Sequence, residues 1–149
     1  MGFWDMMSIS ASALAAERQR AEVTSANLAN AQTTHTEGGS GPYVRKEVVF
    51  SATNASPFQT IFNRAGHFGA PAGSVELSGV VEDSAPPVMR YEPGNPDANK
   101  EGYVAYPAIN PITEMVDLMD ATRAYQLNAS AVTSAKQMVQ ESIDILKTT

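Results

Sequence analysis

Two histidines, sixteen carboxylates and ten basic residues are the groups in this 149-residue chain that could carry acid-base or metal chemistry. A histidine that acts as a base or a metal ligand needs a second group at fixed spacing. His35 and His67 have none, and both read as loop residues. The HExxH, GxSxG, GxGxxG and GxxxxGK[ST] patterns are absent. With no cysteine, the chain has no disulfide framework, thiolate zinc site or iron-sulfur cluster. Paired carboxylates can do general acid-base work or hold hard cations. Here Glu82 and Asp83 adjoin the Pro86-Pro87 turn, while Glu114, Asp117 and Asp120 recur every third residue, the pattern of a solvated helix face. The glycine-rich run from Glu37 to Pro42 lacks the Lys-Ser and helix start of a phosphate loop and reads as a flexible connector. Arg45-Lys46 is too short for a nucleic-acid patch and on a strand would point to opposite faces, salt-bridged or solvated. The glycosylation triplets at Asn54 and Asn128 carry no weight, the second lying inside a predicted helix. The sequence therefore predicts no catalytic, cofactor-binding or metal-binding residue.

Charge and hydropathy remove further classes. A net charge of −6 with scattered basic residues lacks the electrostatic footprint of a nucleic-acid binder. No apolar run approaches the roughly 18 to 20 residues that span a bilayer. The N-terminus lacks the basic and long apolar regions of a cleaved secretory signal, so an exported chain would use another route.

The elements follow from where the helix breakers fall. All nine prolines lie between Pro42 and Pro111, and nine of the ten glycines between Gly38 and Gly102. Residues 4–30, rich in Ala, Leu, Met, Glu, Arg and Gln, predict a helix. Along it Met7, Leu14, Ala21 and Leu28 recur every seventh residue, with Ile9, Ala13, Ala16 and Val23 on an adjoining stripe. Such sevens predict a seam for another helix. Residues 112–149 predict a second helix, with Asn110 as N-cap, Pro111 at the first position, and Glu114 and Asp117 at the positive end of its dipole. Leu118, Tyr125, Val132, Val139 and Leu146 form its heptad row, supported by Met115, Ala129 and Ile143. At 1.5 Å per residue it would span roughly 57 Å, longer than its partner, leaving apolar turns around Met138, Ile143, Ile145 and Leu146 uncovered.

Between the helices, residues 43–50, 75–81, 88–91 and 103–106 have the β-branched and aromatic content of strands. Residues 93–102, with two prolines and two glycines, predict an exposed connection. Residues 51–74 carry Phe58, Ile61, Phe62 and Phe68 without a clear period and predict a small β module with a mobile loop. The expected class is α+β: long terminal helices pairing in a coiled-coil-like domain, with a small β-rich insert. The boundaries fall at residues 1–32, 33–110 and 111–149. Pattern alone leaves three readings open: assembly through the helical termini, a closed helical hairpin serving as a soluble adaptor, and an enzyme.

The termini then resolve into a signature. Ser8 to Leu14, Gln19-Arg20, the Ala26-Asn27-Leu28-Ala29-Asn30 core and Thr33 resemble the N-terminal signature of bacterial flagellar axial proteins, the rod and hook subunits. Glu114 to Asn128, with Thr133 and residues 135–138, resembles the matching C-terminal signature. Within that family, residues 43–50, Val80 to Asp83 before Pro86-Pro87, and residues 93–97 leading into 101–107 resemble the C-type basal-body rod family of the proximal rod. Tyr106 stands where that pattern leads one to expect an aliphatic residue or methionine.

The resemblance implies terminal helices that stack helically around a central channel, with the β insert outward, forming the hollow drive shaft that carries torque from motor to hook. It implies export without a cleaved signal through the flagellar type III apparatus to a periplasmic rod. The implied partners are copies of the chain, other proximal-rod subunits and a rod-to-ring adapter, with no cofactor. The expected assembly interface is the heptad set, Met7, Leu14, Ala21, Leu28, Met115, Leu118, Tyr125, Val132, Val139, Ile143 and Leu146. Asn27 and Asn30 join it as register-setting amides, with C-terminal capping of the first helix as their alternative role.

Overall fold

A computed structural model describes residues 3–36, 41–53 and 74–147. Helix α1 runs Phe3–Ala29 and helix α2 Pro111–Lys147. Between them lie strands β1 (Lys46–Thr53), β2 (Ser74–Glu82), β3 (Val88–Tyr91) and β4 (Tyr103–Tyr106). β1 pairs with β2, and β3 with β4. The class is α+β, two terminal helices with a small β insert. Neither helix is long and apolar enough, among the described residues, to cross a membrane.

The helix boundaries follow local chemistry. Asn110 caps α2: its side-chain oxygen accepts from the Ile112 amide at 3.0 Å, and its carbonyl accepts from the Glu114 amide at 3.1 Å. Pro111 at the first position has no amide to satisfy. At the end of α1, Asn30 donates from Nδ2 to the Ala26 carbonyl at 2.9 Å and accepts from the Thr33 hydroxyl at 3.1 Å, which closes the last turn. β1 begins at Lys46, three residues later than its composition predicts. Before it, the Tyr43 amide donates to the Thr33 carbonyl, while the Arg45 carbonyl accepts from the amide of Asp83, just past the end of β2. The module predicted over residues 51–74 falls largely on 54–73, outside the described residues; Ser51–Thr53 complete β1 and Ser74 opens β2.

Two compact units result. One comprises residues 1–19, 50–78 and 121–149, the other 20–49 and 79–120. In the first, the buried side chains among the described residues are small, Ser10, Ala16, Ala121 and Ala135, and the Val75 amide donates to the Ser12 hydroxyl at 3.2 Å. In the second, β3 and β4 form an antiparallel pair with Val88 opposite Tyr106 and Tyr91 opposite Tyr103. Val104 on β4 is fully buried, whereas Met89 and Tyr91 on β3 are exposed. The connection over residues 93–102 is a series of tight turns. Asn99 accepts from the Glu101 and Tyr103 amides and Asn95 from the Asp97 amide, and Gly102 closes the loop at φ +82°.

Candidate functional site

The helices bury a different row from the bulky one. On α1 the buried positions are Ser10, Ala16, Thr24 and Asn27, while Met7, Leu14, Ala21 and Leu28 are half-buried. On α2 the buried positions are Glu114, Ala121 and Ala135, a heptad row of their own. Leu118, Ala129, Val132 and Val139 are half-buried beside it, and Met115, Tyr125, Ile143 and Leu146 are exposed, the last at 78%. Small or polar side chains occupy the covered positions. The apolar bulk flanks them or points outward, and Ile112, Val116, Met119, Leu127, Met138 and Ile145 are exposed as well.

A polar cluster occupies the second unit. Asn27, 1% exposed, donates from Nδ2 to the Lys46 carbonyl at 2.8 Å and to Glu114 Oε2 at 3.1 Å. Its Oδ1 accepts from the Lys46 amide at 2.9 Å and from the Tyr43 hydroxyl at 3.2 Å. The amide thus meets the first residue of β1 as a neighbouring strand would, by both its N–H and its C=O. Asn27 is spent inside the chain, while Asn30 serves as the cap. Glu114, 2% exposed, takes its other hydrogen bond from Arg45 Nε at 2.7 Å. Arg45 Nη1 also pairs with Glu47 and lies 3.7 Å from Asp83.

The expected solvated carboxylate face is corrected by this cluster. Glu114 is buried because Arg45, sixty-nine residues away in sequence, meets it there; Asp117 lies 3.8 Å from Arg20, and Asp120 is exposed. Burial works against the charge of Arg45, but hydrogen bonds from its guanidinium to Glu114 and Glu47 outweigh this and raise its pKa above the ordinary value. Tyr43 is raised by burial and by the charges of Glu114 and Glu82. A polar cavity of about 180 Å³ adjoins the cluster, lined in part by Arg20, Thr24 and Asp117. No group of three or more metal-ligating side chains occurs among the described residues.

The hairpin carries a second small network. Tyr106 donates its hydroxyl to Glu92 at 3.0 Å, Asn95 donates to the same carboxylate oxygen at 3.1 Å, and the Arg90 guanidinium sits 4.7 Å from the Tyr106 ring centre. The unexpected tyrosine is therefore used twice, by its hydroxyl and by its ring.

Among the described residues, many large apolar side chains stand on the outside of the fold. Comparison with known families gives the class: residues 7–34 match the family described as flagella basal body rod protein, and residues 100–145 that described as flagellar basal body rod FlgEFG protein C-terminal. Full-length relatives narrow it. The flagellar basal-body rod protein FlgC of Bacillus subtilis (strain 168) is 38% identical over 144 residues, covering 95% of this chain and 96% of that protein. That of Escherichia coli O6:H1 is 37% identical over 145 residues, covering 97% and 98%, and that of Borreliella burgdorferi 32% over 152 residues, covering 99% of each. The chain belongs to the FlgC family of flagellar basal-body rod proteins. It is a structural subunit of the basal body.

Proposed function

We propose that this proximal-rod subunit does its work by packing rather than catalysis. The single observation that supports this reading is the outward apolar surface of α2, which runs from Ile112 at 72% exposure to Leu146 at 78%. An isolated chain gains nothing from that surface, whereas burying one such side chain contributes roughly 1.5–3 kcal/mol. Neighbouring subunits, copies of the chain and other proximal-rod proteins, cover it. Heterologous contacts that repeat without closing then build a helical tube, the drive shaft that carries torque toward the hook. Met7, Leu14, Ala21 and Leu28 on α1, with Leu118, Tyr125, Val132, Val139 and Ile143 on α2, contribute the flanks of the same contacts. The export apparatus and a rod-to-ring adapter are its further partners, with delivery by the flagellar type III route to the periplasm.

The test uses residues already exposed in the monomer, so that folding and assembly separate. Met115→Asp and Leu146→Asp leave the circular dichroism of the purified chain unchanged but abolish its recovery in basal bodies and swimming in soft agar. Normal swimming by both variants would overturn the reading.

A further inference from the structure

We propose that Asn27, Arg45 and Glu114 form a rotational lock that holds α2 with Met115, Val116 and Met119 outward, and that this lock closes within a single chain. The observation is a conflict between burial and exposure at consecutive positions. Glu114 is 2% exposed while its neighbour Met115 is 52% exposed, and Val116 and Met119 are 47% and 51% exposed. Turning α2 by one residue, about 100°, would bring Met115 to the place of Glu114 and put an apolar side chain inside, which the hydrophobic effect favours. Over the first turns of α2, where Glu114 stands inside and Met115 outside, something other than apolar burial must hold the observed rotation.

The polar cluster supplies it. Both Glu114 oxygens are engaged, Oε1 by Arg45 and Oε2 by Asn27, and the Asn27 amide is saturated by four hydrogen bonds. Rotation would strand a buried carboxylate's partners, and sliding β1 by one residue would take both backbone groups of Lys46 away from Asn27. Either error leaves buried polar groups unmade, the costly outcome for an amide or an ion pair. Among the described residues the largest fully buried side chains are Glu114, Val104 and Asn27, so apolar packing alone has little with which to choose the rotation. The proposal deepens the packing function, since the face held outward is the one that neighbours cover there; yet every bond in the lock is intrachain, so it can be tested without a rod.

The purified monomer is the material for the test. Native-state hydrogen exchange should show the Lys46 amide at least ~100-fold slower than an unstructured amide. Hydrogen peroxide should oxidise Met115 about as fast as the exposed Met89. In Asn27→Leu/Arg45→Met/Glu114→Leu, where buried polar partners are replaced by apolar ones together, Met115 oxidation should slow several-fold. A Lys46 amide that exchanges in the parent monomer at the unstructured rate would overturn the proposal, whatever the variants do. So would a triple variant that remains folded with Met115 oxidised at the parent rate. If instead the lock holds but assembly still occurs in Met115→Asp and Leu146→Asp, it is the packing function that fails.

Discussion

At the level of single residues, the charge of Glu114 is tolerated in a nearly dry position only because Arg45 and Asn27 answer it. Removing one partner should therefore cost more than removing both. Arg45→Met is expected to destabilise the monomer by about 3 kcal/mol, because it leaves a buried carboxylate uncompensated, while Arg45→Met/Glu114→Leu should recover most of that loss in urea denaturation. Equal destabilisation by the single and double variants would contradict this account of the pair. The hairpin network has a pH signature of its own. Hydrogen bonds from Asn95 and Tyr106 hold the Glu92 carboxyl below its ordinary range. A lowered folded pKa means stability that is present above the unfolded value and is lost as the pH falls through the folded one. Carboxyl carbon titration by NMR should find Glu92 below a peptide glutamate, and Tyr106→Phe should move it back upward; no movement would show that the hydroxyl does not hold it. The Arg45–Glu114 pairing could not be read in the sequence, because the two residues are sixty-nine positions apart and nothing local marks a carboxylate in the first turn of a helix as buried.

Elements were far more legible, since their signals are local. Asn110-Pro111 marks the start of α2 by capping chemistry that needs no partner, and four β-rich runs separated by turn residues became four strands. The bounds of β1 shifted along the chain at both ends, from 43–50 to Lys46–Thr53, with the Tyr43 amide bonded to the Thr33 carbonyl instead. The heptads are legible as periodic rows, and in the single chain they stay half-buried or exposed, while the covered positions are Ser10, Thr24, Asn27, Ala121 and Ala135. Two expectations belong to this scale. Asn110→Ala should cost about 1 kcal/mol and raise amide exchange in the first turn of α2 alone. Gly102→Ala should disturb the hairpin more, because a Cβ there would meet Tyr91 Cε2 at 2.9 Å and the residue would be held at φ +82°. That left-handed conformation costs an L-residue roughly 1–2 kcal/mol, and thermal denaturation of the purified chain measures the loss.

For the whole molecule, the clustering of proline and glycine between two breaker-free ends corresponds to a β insert between two helices, and family membership gives the product, a rod subunit. α2 is ten residues longer than α1, about 15 Å of helix, and Ile143, Ile145 and Leu146 near its C-terminal end are exposed. A surface of this kind is stable in water only while chains remain apart, and it finds its use when another subunit covers it. That is the central claim, and site-specific photocrosslinking in living cells addresses it directly. A photoreactive phenylalanine analogue at Leu146 or Met115, in chains that still support swimming, should yield covalent adducts with a second copy or another rod subunit, identified by mass spectrometry of purified basal bodies. Adducts confined to the chain itself, at both positions, would show that α2 meets no neighbour and would contradict the account.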